Sequence, residues 1–176
     1  MKTVTKQGTM LCLLTLLFFR VSAVPPESTV RGAASKAELT DALFQAIKNN
    51  QFETLLNYLP DDHHLEILRT TTNAIDKVFY DGLTSESVRD QAQENFRKVI
   101  KNGIDNEINW SSLELMEKRP KPNNSLKDIH TTVLVMEDNK EVPLSFSFDS
   151  VEILDRWFII QGISPDVTSQ IGFIID

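Results

Sequence analysis

The residues best able to do chemistry are few, and the densest group is Asp61-Asp62-His63-His64. Carboxylate and imidazole groups both bind zinc. Neighbouring residues on a helix point about 100° apart, however, so these four side chains would not converge on one ion. Acidic residues are also expected at the start of a helix, where they interact with the helix dipole. We therefore predict no metal site and no cofactor.

Two residues are candidates for catalysis. His130 lies in a strand that is apolar on both faces, where an imidazole could act as a general base in a pocket. The other interpretation is a hydrogen-bonded, partly buried histidine, because no partner carboxylate can be assigned from the sequence. Asp149 ends an alternating strand and could lie on a pocket rim, although Ser150 after it favours a turn.

Four aromatic residues are candidates for lining a ligand pocket: Tyr58, Tyr80, Trp110 and Trp157. The alternative is that each packs in the core or on the sheet, because aromatic side chains bury large areas. The sequence carries no nucleophile–base pattern of note, no phosphate-binding glycine loop and no CxxC pair. Enzymatic activity is therefore left open, and the pattern favours a protein that is not an enzyme.

The first half of the chain predicts four helices. Ser35 and Glu38 fit a capping box, and apolar residues then repeat at helical spacing to Asn49-Asn50. A short second helix ends at Pro60. One long third helix ends at Asp81-Gly82, and a fourth, capped by Thr84 or Ser85, ends at Asn102-Gly103.

The second half predicts strands, since the apolar period changes to two. Residues 108–115 predict a strand with a bulge near Ser111-Ser112, and the prolines and asparagines of 118–124 predict a loop. Residues 129–136 predict a central strand. Residues 142–148 predict a strand with one buried face, which Pro143 places near an edge. Residues 157–163 predict the last strand. Helices followed by hairpin-linked strands predict an α+β domain over 35–176, with about four helices packed on one face of a four-stranded, antiparallel, curved sheet.

Three segments carry a resemblance: ALFQAIKNNQFETLLNYLPD at the start, INWSSLELME in the centre and ILDRWFIIQGI near the end. Together they resemble uncharacterised secreted bacterial proteins of the nuclear transport factor 2-like and cystatin-like superfamily of cone-shaped α+β domains. The chain departs from the usual pattern because no strand is evident between the second and third helices. The resemblance implies the fold and no catalytic residue, because that superfamily includes isomerases, cyclases, dehydratases and many binding proteins.

The N-terminus predicts export. Lys2 and Lys6 precede the apolar run MLCLLTLLFF, and Val21-Ser22-Ala23 offers a small-residue cleavage site. The run of about ten residues is short for a membrane span. We therefore expect a signal peptide over 1–23, a flexible leader over 24–34, and a secreted or periplasmic protein with no membrane span after cleavage. The alternatives are an uncleaved anchor and a lipid anchor on Cys12.

The net charge of the chain limits the classes of partner that it could bind. The chain has a formal net charge of −7, which falls to about −10 when Lys2, Lys6 and Arg20 are removed with the signal peptide. Cys12 would leave with it, so no disulfide is expected. An acidic chain is a poor ligand for nucleic acid. The leading hypothesis is therefore a domain that binds a small apolar ligand or a protein partner without catalysis. The alternatives are an isomerase or cyclase with an apolar pocket between helices and sheet, and a structural envelope protein that self-associates through a sheet edge.

Overall fold

A computed structural model describes residues 30–121, 126, 128–140 and 143–165. The predicted signal peptide, most of the predicted leader and the tail after Pro165 lie outside these residues. Within them, all the helices precede four strands that form one antiparallel sheet in the order β1-β2-β3-β4. The prediction of an α+β fold with N-terminal helices and a four-stranded antiparallel sheet is therefore confirmed. The elements, in chain order, are α1 (Lys36–Lys48), a 3-10 helix (Phe52–Tyr58), α2 (Asp62–Thr71), α3 (Ala74–Asp81), α4 (Ser85–Asp105), a short 3-10 turn (Trp110–Ser112), β1 (Glu114–Lys121), β2 (His130–Glu137), β3 (Pro143–Ile153) and β4 (Arg156–Pro165).

Side-chain caps fix the starts of the main helices. The Ser35 hydroxyl accepts a hydrogen bond from the Glu38 amide at 3.1 Å, while the Glu38 carboxylate accepts from the Ala34 amide at 2.8 Å. Asp61 caps α2 by accepting from the His64 amide at 3.1 Å. Thr84 begins α4 with a reciprocal pair of bonds to Ser87. Each cap satisfies a backbone N–H that has no partner inside its helix.

The single third helix that the apolar spacing predicts is two helices in the structure, so that prediction is wrong. α2 ends at Thr71, where three consecutive threonines lower helix propensity. The Asn73 side chain then accepts a hydrogen bond from the Asp76 amide at 3.1 Å, as an N-cap would. A side chain that competes for backbone donors in this way favours a new helix start over continuation.

α4 continues past the predicted stop at Asn102-Gly103 and ends at Asp105. Gly103 serves a packing role instead. A Cβ atom on Gly103 would lie 2.3 Å from the far end of the Trp110 ring, so only glycine leaves room for the indole here. The chain then turns through Glu107, whose φ is +56°, and the 3-10 turn that holds Trp110.

β1 lies later in the chain than predicted. Of the strand predicted over 108–115, Trp110–Ser112 form a 3-10 turn and only the last two residues lie in β1, whereas the first four residues of the predicted loop, 118–121, belong to β1. Pro120 is tolerated because β1 is an edge strand, where a missing donor costs least. The bulge is between Leu115 and Glu117, not at Ser111-Ser112.

β3 is a central strand, which corrects the prediction that Pro143 places it near an edge. It pairs with β2 along one side and with β4 along the other. Pro143 is tolerated because it is the first residue of the strand. β2 is central, as its two apolar faces predict. A two-residue turn at Leu154 and Asp155, with φ values of +50° and +59°, joins β3 to β4.

The core has two parts, on opposite faces of the sheet. Leu134 lies opposite Phe146 in the β2–β3 register, and both pack with residues of α1 and α4. Val151 lies opposite Phe158 in the β3–β4 register, and both pack with Leu65 of α2. Residues 146 and 151 have opposite parity along β3, so these pairs lie on opposite faces. The prediction that helices cover only one face is therefore wrong at the β3–β4 side.

Residues 31–34, assigned to the flexible leader by the sequence, are bonded to the domain. Ala33 is fully buried and exchanges two backbone hydrogen bonds with Trp157 at 2.8 and 2.9 Å, which adds a one-residue bridge to the outer edge of β4. The Arg31 guanidinium donates to the carbonyls of Leu56 and Leu59, both at 2.9 Å. Among the described residues, the outer side of β1 therefore has no strand partner, and the outer side of β4 has this one-residue bridge alone.

Candidate ligand-binding groove

An open groove of about 450 Å³ lies where the N-terminal turn of α1 passes the ends of β1 and β2. Its floor and walls mix methyl, methylene and hydroxyl groups with positive charge, and the described residues contribute no carboxylate to its lining. The lining residues are Lys36, Ala37, Thr40, Lys118, Arg119, Pro120, Lys121, Ile129, His130, Thr131 and Thr132. A site of this size and composition suits a small molecule with an apolar body and an acidic group.

The strand register decides which side chains face the helix. Lys118 pairs with Leu134, which belongs to the core beneath α1 and α4, so Lys118, Pro120 and Thr132 lie on the helix side of the sheet. Lys118 extends to α1 and makes an ion pair with Asp41 at 2.5 Å. Arg119 and Lys121 alternate with these residues, so they lie on the other face of β1, and both also line the groove.

Lys36, Trp157 and His130 form a stack at one end of the groove. The Lys36 ammonium lies 4.3 Å from the centre of the Trp157 ring, a cation–π distance. The His130 ring meets the same indole edge-on, with ring centres 5.4 Å apart. Burial and the charge of Lys36 lower the pKa of His130 and outweigh the opposing effect of Asp128 and Glu152. His130 is therefore neutral at pH 7, and one ring nitrogen is available as a hydrogen-bond donor.

The positive charge of the groove stands out against an acidic chain. The formal net charge is −7, yet the groove is lined by Lys36, Lys118, Arg119 and Lys121. Concave sites lined by one sign of charge concentrate the field and attract ligands of the other sign. Lys36 is also the first residue of α1, where the positive end of the helix dipole adds to the same field.

The two catalytic candidates do not meet. His130 pairs with Ser150 and Thr131 pairs with Asp149, so the imidazole and the carboxylate point to opposite faces of the sheet. The Asp149 carboxylate accepts a hydrogen bond from the Thr131 hydroxyl at 2.5 Å. Burial raises the pKa of Asp149, against the opposing effects of Thr131 and Lys121. Asp149 lies within a strand, so the turn expected from Ser150 is not present.

The four aromatic candidates occupy four different places. Trp157 borders the groove through Lys36 and His130, whereas Trp110 packs on Gly103 at the main core. Tyr58 lines a separate shallow groove of about 230 Å³ between α1 and the 3-10 helix. Tyr80 is fully buried in the second core part, where its hydroxyl has no hydrogen-bond partner among the described residues. Tyr58 therefore lines one groove and Trp157 contacts two lining residues of another, and the assignment of the four aromatic residues to a ligand pocket stays a prediction.

The Asp61–His64 cluster is a helix cap. Asp61 accepts hydrogen bonds from the amide and from the Nδ1 side of His64, the latter at 2.6 Å, and Asp62 accepts from the Ser85 amide at 3.0 Å. These bonds tie the starts of α2 and α4 together. Among residues 30–165, where described, no three His, Cys, Asp or Glu side chains converge as metal ligands would.

Sequence reasoning missed Lys36 and Lys118 as site residues. Both look like ordinary surface charges, because the contact between residue 36 and residues 118–132 exists only in the folded chain. The cationic residues of the run KRPKPNN are evident in the sequence, but the prolines and asparagines of the same run favour a loop.

Comparison with known proteins finds no match: no family model, no curated protein and no solved structure is similar to this chain. The similarity to the nuclear transport factor 2-like superfamily therefore stays a prediction. No helix within the described part of the chain is both long and apolar enough to span a bilayer.

Proposed function

We propose that the chain is an exported, non-enzymatic binding domain whose groove holds a small organic anion with an apolar body. The observation that carries this proposal is the lining of the groove, in which four cationic side chains and an imidazole occur with no carboxylate among the described lining residues. The acidic group of the ligand would lie near Lys36, and its apolar body would lie along Ala37 and Pro120.

The proposal refines the expectation of a purely apolar ligand. Placing an unpaired ammonium against a ligand that offers no acceptor would cost desolvation energy without return. A carboxylate or phosphate would instead form charge-assisted hydrogen bonds, which contribute about 1.5–3 kcal/mol each. The Asp41 carboxylate already neutralises Lys118, so Lys36 is the cation on which we expect binding to depend most.

The enzyme alternative rests on His130 alone. An isomerase or cyclase needs a second group to hold or return the proton, and Asp149 is on the other face of the sheet. A neutral imidazole beside a lysine can still donate a hydrogen bond to a bound anion. We therefore assign His130 to ligand binding.

The test compares one ligand skeleton with two head groups. Nuclear magnetic resonance of the protein is recorded with 3-phenylpropionate and with its uncharged amide as probes. We expect the carboxylate, and not the amide, to shift the resonances of His130 and the Trp157 indole. Lys36→Gln should weaken carboxylate binding about ten-fold, the loss of one charge-assisted hydrogen bond. Lys98→Gln, a matched change on the exposed side of α4, should leave it unchanged. Equal shifts with both probes, or none with either, would contradict the proposal.

Export is proposed on the tripartite pattern of residues 1–23. Mass spectrometry of the protein released by a secreting host should give Val24 as the first residue. An N-terminus at Met1, or a lipid on Cys12, would contradict it.

A further inference from the structure

The free edge of β1 carries two signs of charge, sorted by position. β1 reads ELMEKRPK, with Glu114 and Glu117 in its first half and Lys118, Arg119 and Lys121 in its second half. Charged residues, proline and a bulge are features that protect a sheet edge against pairing, and β1 has all three, but such protection does not require its acidic and basic residues to be separated into two halves. An antiparallel copy of the same strand would place the acidic half of each opposite the basic half of the other.

The bulge fixes the register of such a pairing. Leu115 and Glu117 lie opposite consecutive β2 residues, Met136 and Val135, so Met116 is the extra residue. With Met116 omitted, Lys118 is the central residue of the strand. Pairing about Lys118 then places Glu114 opposite Lys121 of a second copy, and Glu117 opposite its Arg119.

The faces of the sheet agree with this register. Residues directly opposite each other in an antiparallel pair share a face. The four charged residues that would pair lie on one face of the sheet, because their β2 partners are alternate residues of that strand. Along β1 they are Glu114, Glu117, Arg119 and Lys121, opposite Glu137, Val135, Val133 and Thr131. Leu115 and Pro120 share the other face and would also meet across the pair. Only Lys118 would face its own copy, and Asp41 neutralises each Lys118 within its own domain.

We propose that β1 pairs antiparallel with β1 of a second copy of this chain, about a twofold axis at Lys118, to form one continuous eight-stranded sheet. The charge pattern of β1 carries this proposal, because four opposite-charge pairs form in this register. At the other edge of the sheet, Ala33 is bonded to Trp157 and so occupies the start of β4. Proline at residue 120 removes one donor on each side, so we expect a reversible dimer. The proposal does not rest on ligand binding, although Lys118, Arg119 and Lys121 also line the groove.

Sedimentation velocity of the exported protein, from about 1 µM to about 500 µM, tests association. We expect a concentration-dependent dimer. Lys121→Glu and Glu114→Lys should each weaken it about ten-fold, because two attractive pairs become two repulsive ones. The double variant Glu114→Lys/Lys121→Glu should restore wild-type association at unchanged net charge. Lys77→Glu, on the exposed side of α3, is the control for charge alone and should have no effect.

Cross-linking tests the register. In a Cys12→Ser background, Lys118→Cys should form a disulfide dimer under mild oxidation, since its Cα atoms would lie about 4.5–5.5 Å apart across the axis. Glu117→Cys is the matched control and should cross-link far more slowly. A monomer at every concentration, failure of the double variant to recover, or equal cross-linking at both positions would each overturn the proposal. Binding of an acidic peptide to a monomeric β1 edge would also overturn it.

Discussion

The sign of the stability change at Gly103 should depend on Trp110. Gly103 lies two residues before the end of α4, where alanine ordinarily stabilises a helix by about 0.5–1 kcal/mol. Here an alanine Cβ would lie 2.3 and 2.4 Å from two atoms at the far end of the Trp110 ring. Carbon atoms approach to about 3.5 Å at best, so the indole must move away from the core on which it packs.

Overpacking of this kind costs about 1–3 kcal/mol, which exceeds the helix gain. We therefore expect Gly103→Ala to lower the free energy of unfolding by about 0.5–2 kcal/mol. In a Trp110→Ala background the obstacle is absent, so the same substitution should raise it by about 0.5–1 kcal/mol. The two changes form a double-mutant cycle with a coupling energy of about 1–3 kcal/mol.

Urea denaturation followed by far-ultraviolet circular dichroism measures all four proteins, and it does not depend on the indole that two of them lack. Gly82→Ala is a matched control, because a Cβ there would have only one neighbour within contact range, at 3.7 Å. If Gly103→Ala is stabilising with Trp110 present, or if its effect is the same in both backgrounds, the close approach does not determine stability.

Three further predictions concern buried or titrating groups. Tyr80→Phe should leave the free energy of unfolding unchanged or raise it by about 1 kcal/mol, because the hydroxyl that it removes is buried with no partner among the described residues. The same burial raises the pKa of Tyr80 to about 12. Urea denaturation measures the change, and a clear loss of stability would show that the hydroxyl makes a hydrogen bond. The stability of Asp149→Asn relative to wild type should increase as pH rises from 3 to 7. Burial raises the pKa of Asp149, so its protonated carboxyl group stabilises the wild-type fold below the unfolded pKa of about 4. The wild type loses that contribution as pH rises through the folded pKa, whereas the variant does not. Thermal melts at several pH values test this, and a gap that shrinks with pH would contradict it. Lys36→Gln should raise the pKa of His130 towards 6.5, because the charge of Lys36 lowers it second only to burial; an unchanged imidazole titration by nuclear magnetic resonance would place the ammonium elsewhere.

Local signals were sufficient to predict most of the elements. Ser35 and Thr84, the latter one of two candidates for its helix, cap helices that the sequence predicts to begin there, because a cap depends on residues three or four apart. The alternation of residues 142–148 is the β3 strand for the same reason, since period two is a local property of the backbone.

The errors have one physical origin: each depends on a contact between distant residues. Gly103 is a helix stop by its local conformational freedom, but in the fold it makes room for Trp110. The prolines after Lys118 favour a loop locally, yet pairing with residues 131–134 extends β1 through Pro120 to Lys121. The groove residues Lys36 and His130 are brought together by packing across the sheet, which no spacing along the chain reports.

The packing of the helices limits where this domain can bind. α1 and α4 pack with core residues on one face of the sheet, and α2 packs with Val151 and Phe158 on the other. The bridge at Ala33 covers the outer side of β4 at Trp157. The groove lies at the ends of β1 and β2, and the outer side of β1 has no strand partner among the described residues. These two regions also contain Lys118, Arg119 and Lys121, the basic cluster of an acidic chain. Lys118 belongs to both proposals, because it lines the groove and lies at the proposed dimer axis. Its ion pair with Asp41 would therefore lie next to both the ligand and the second copy.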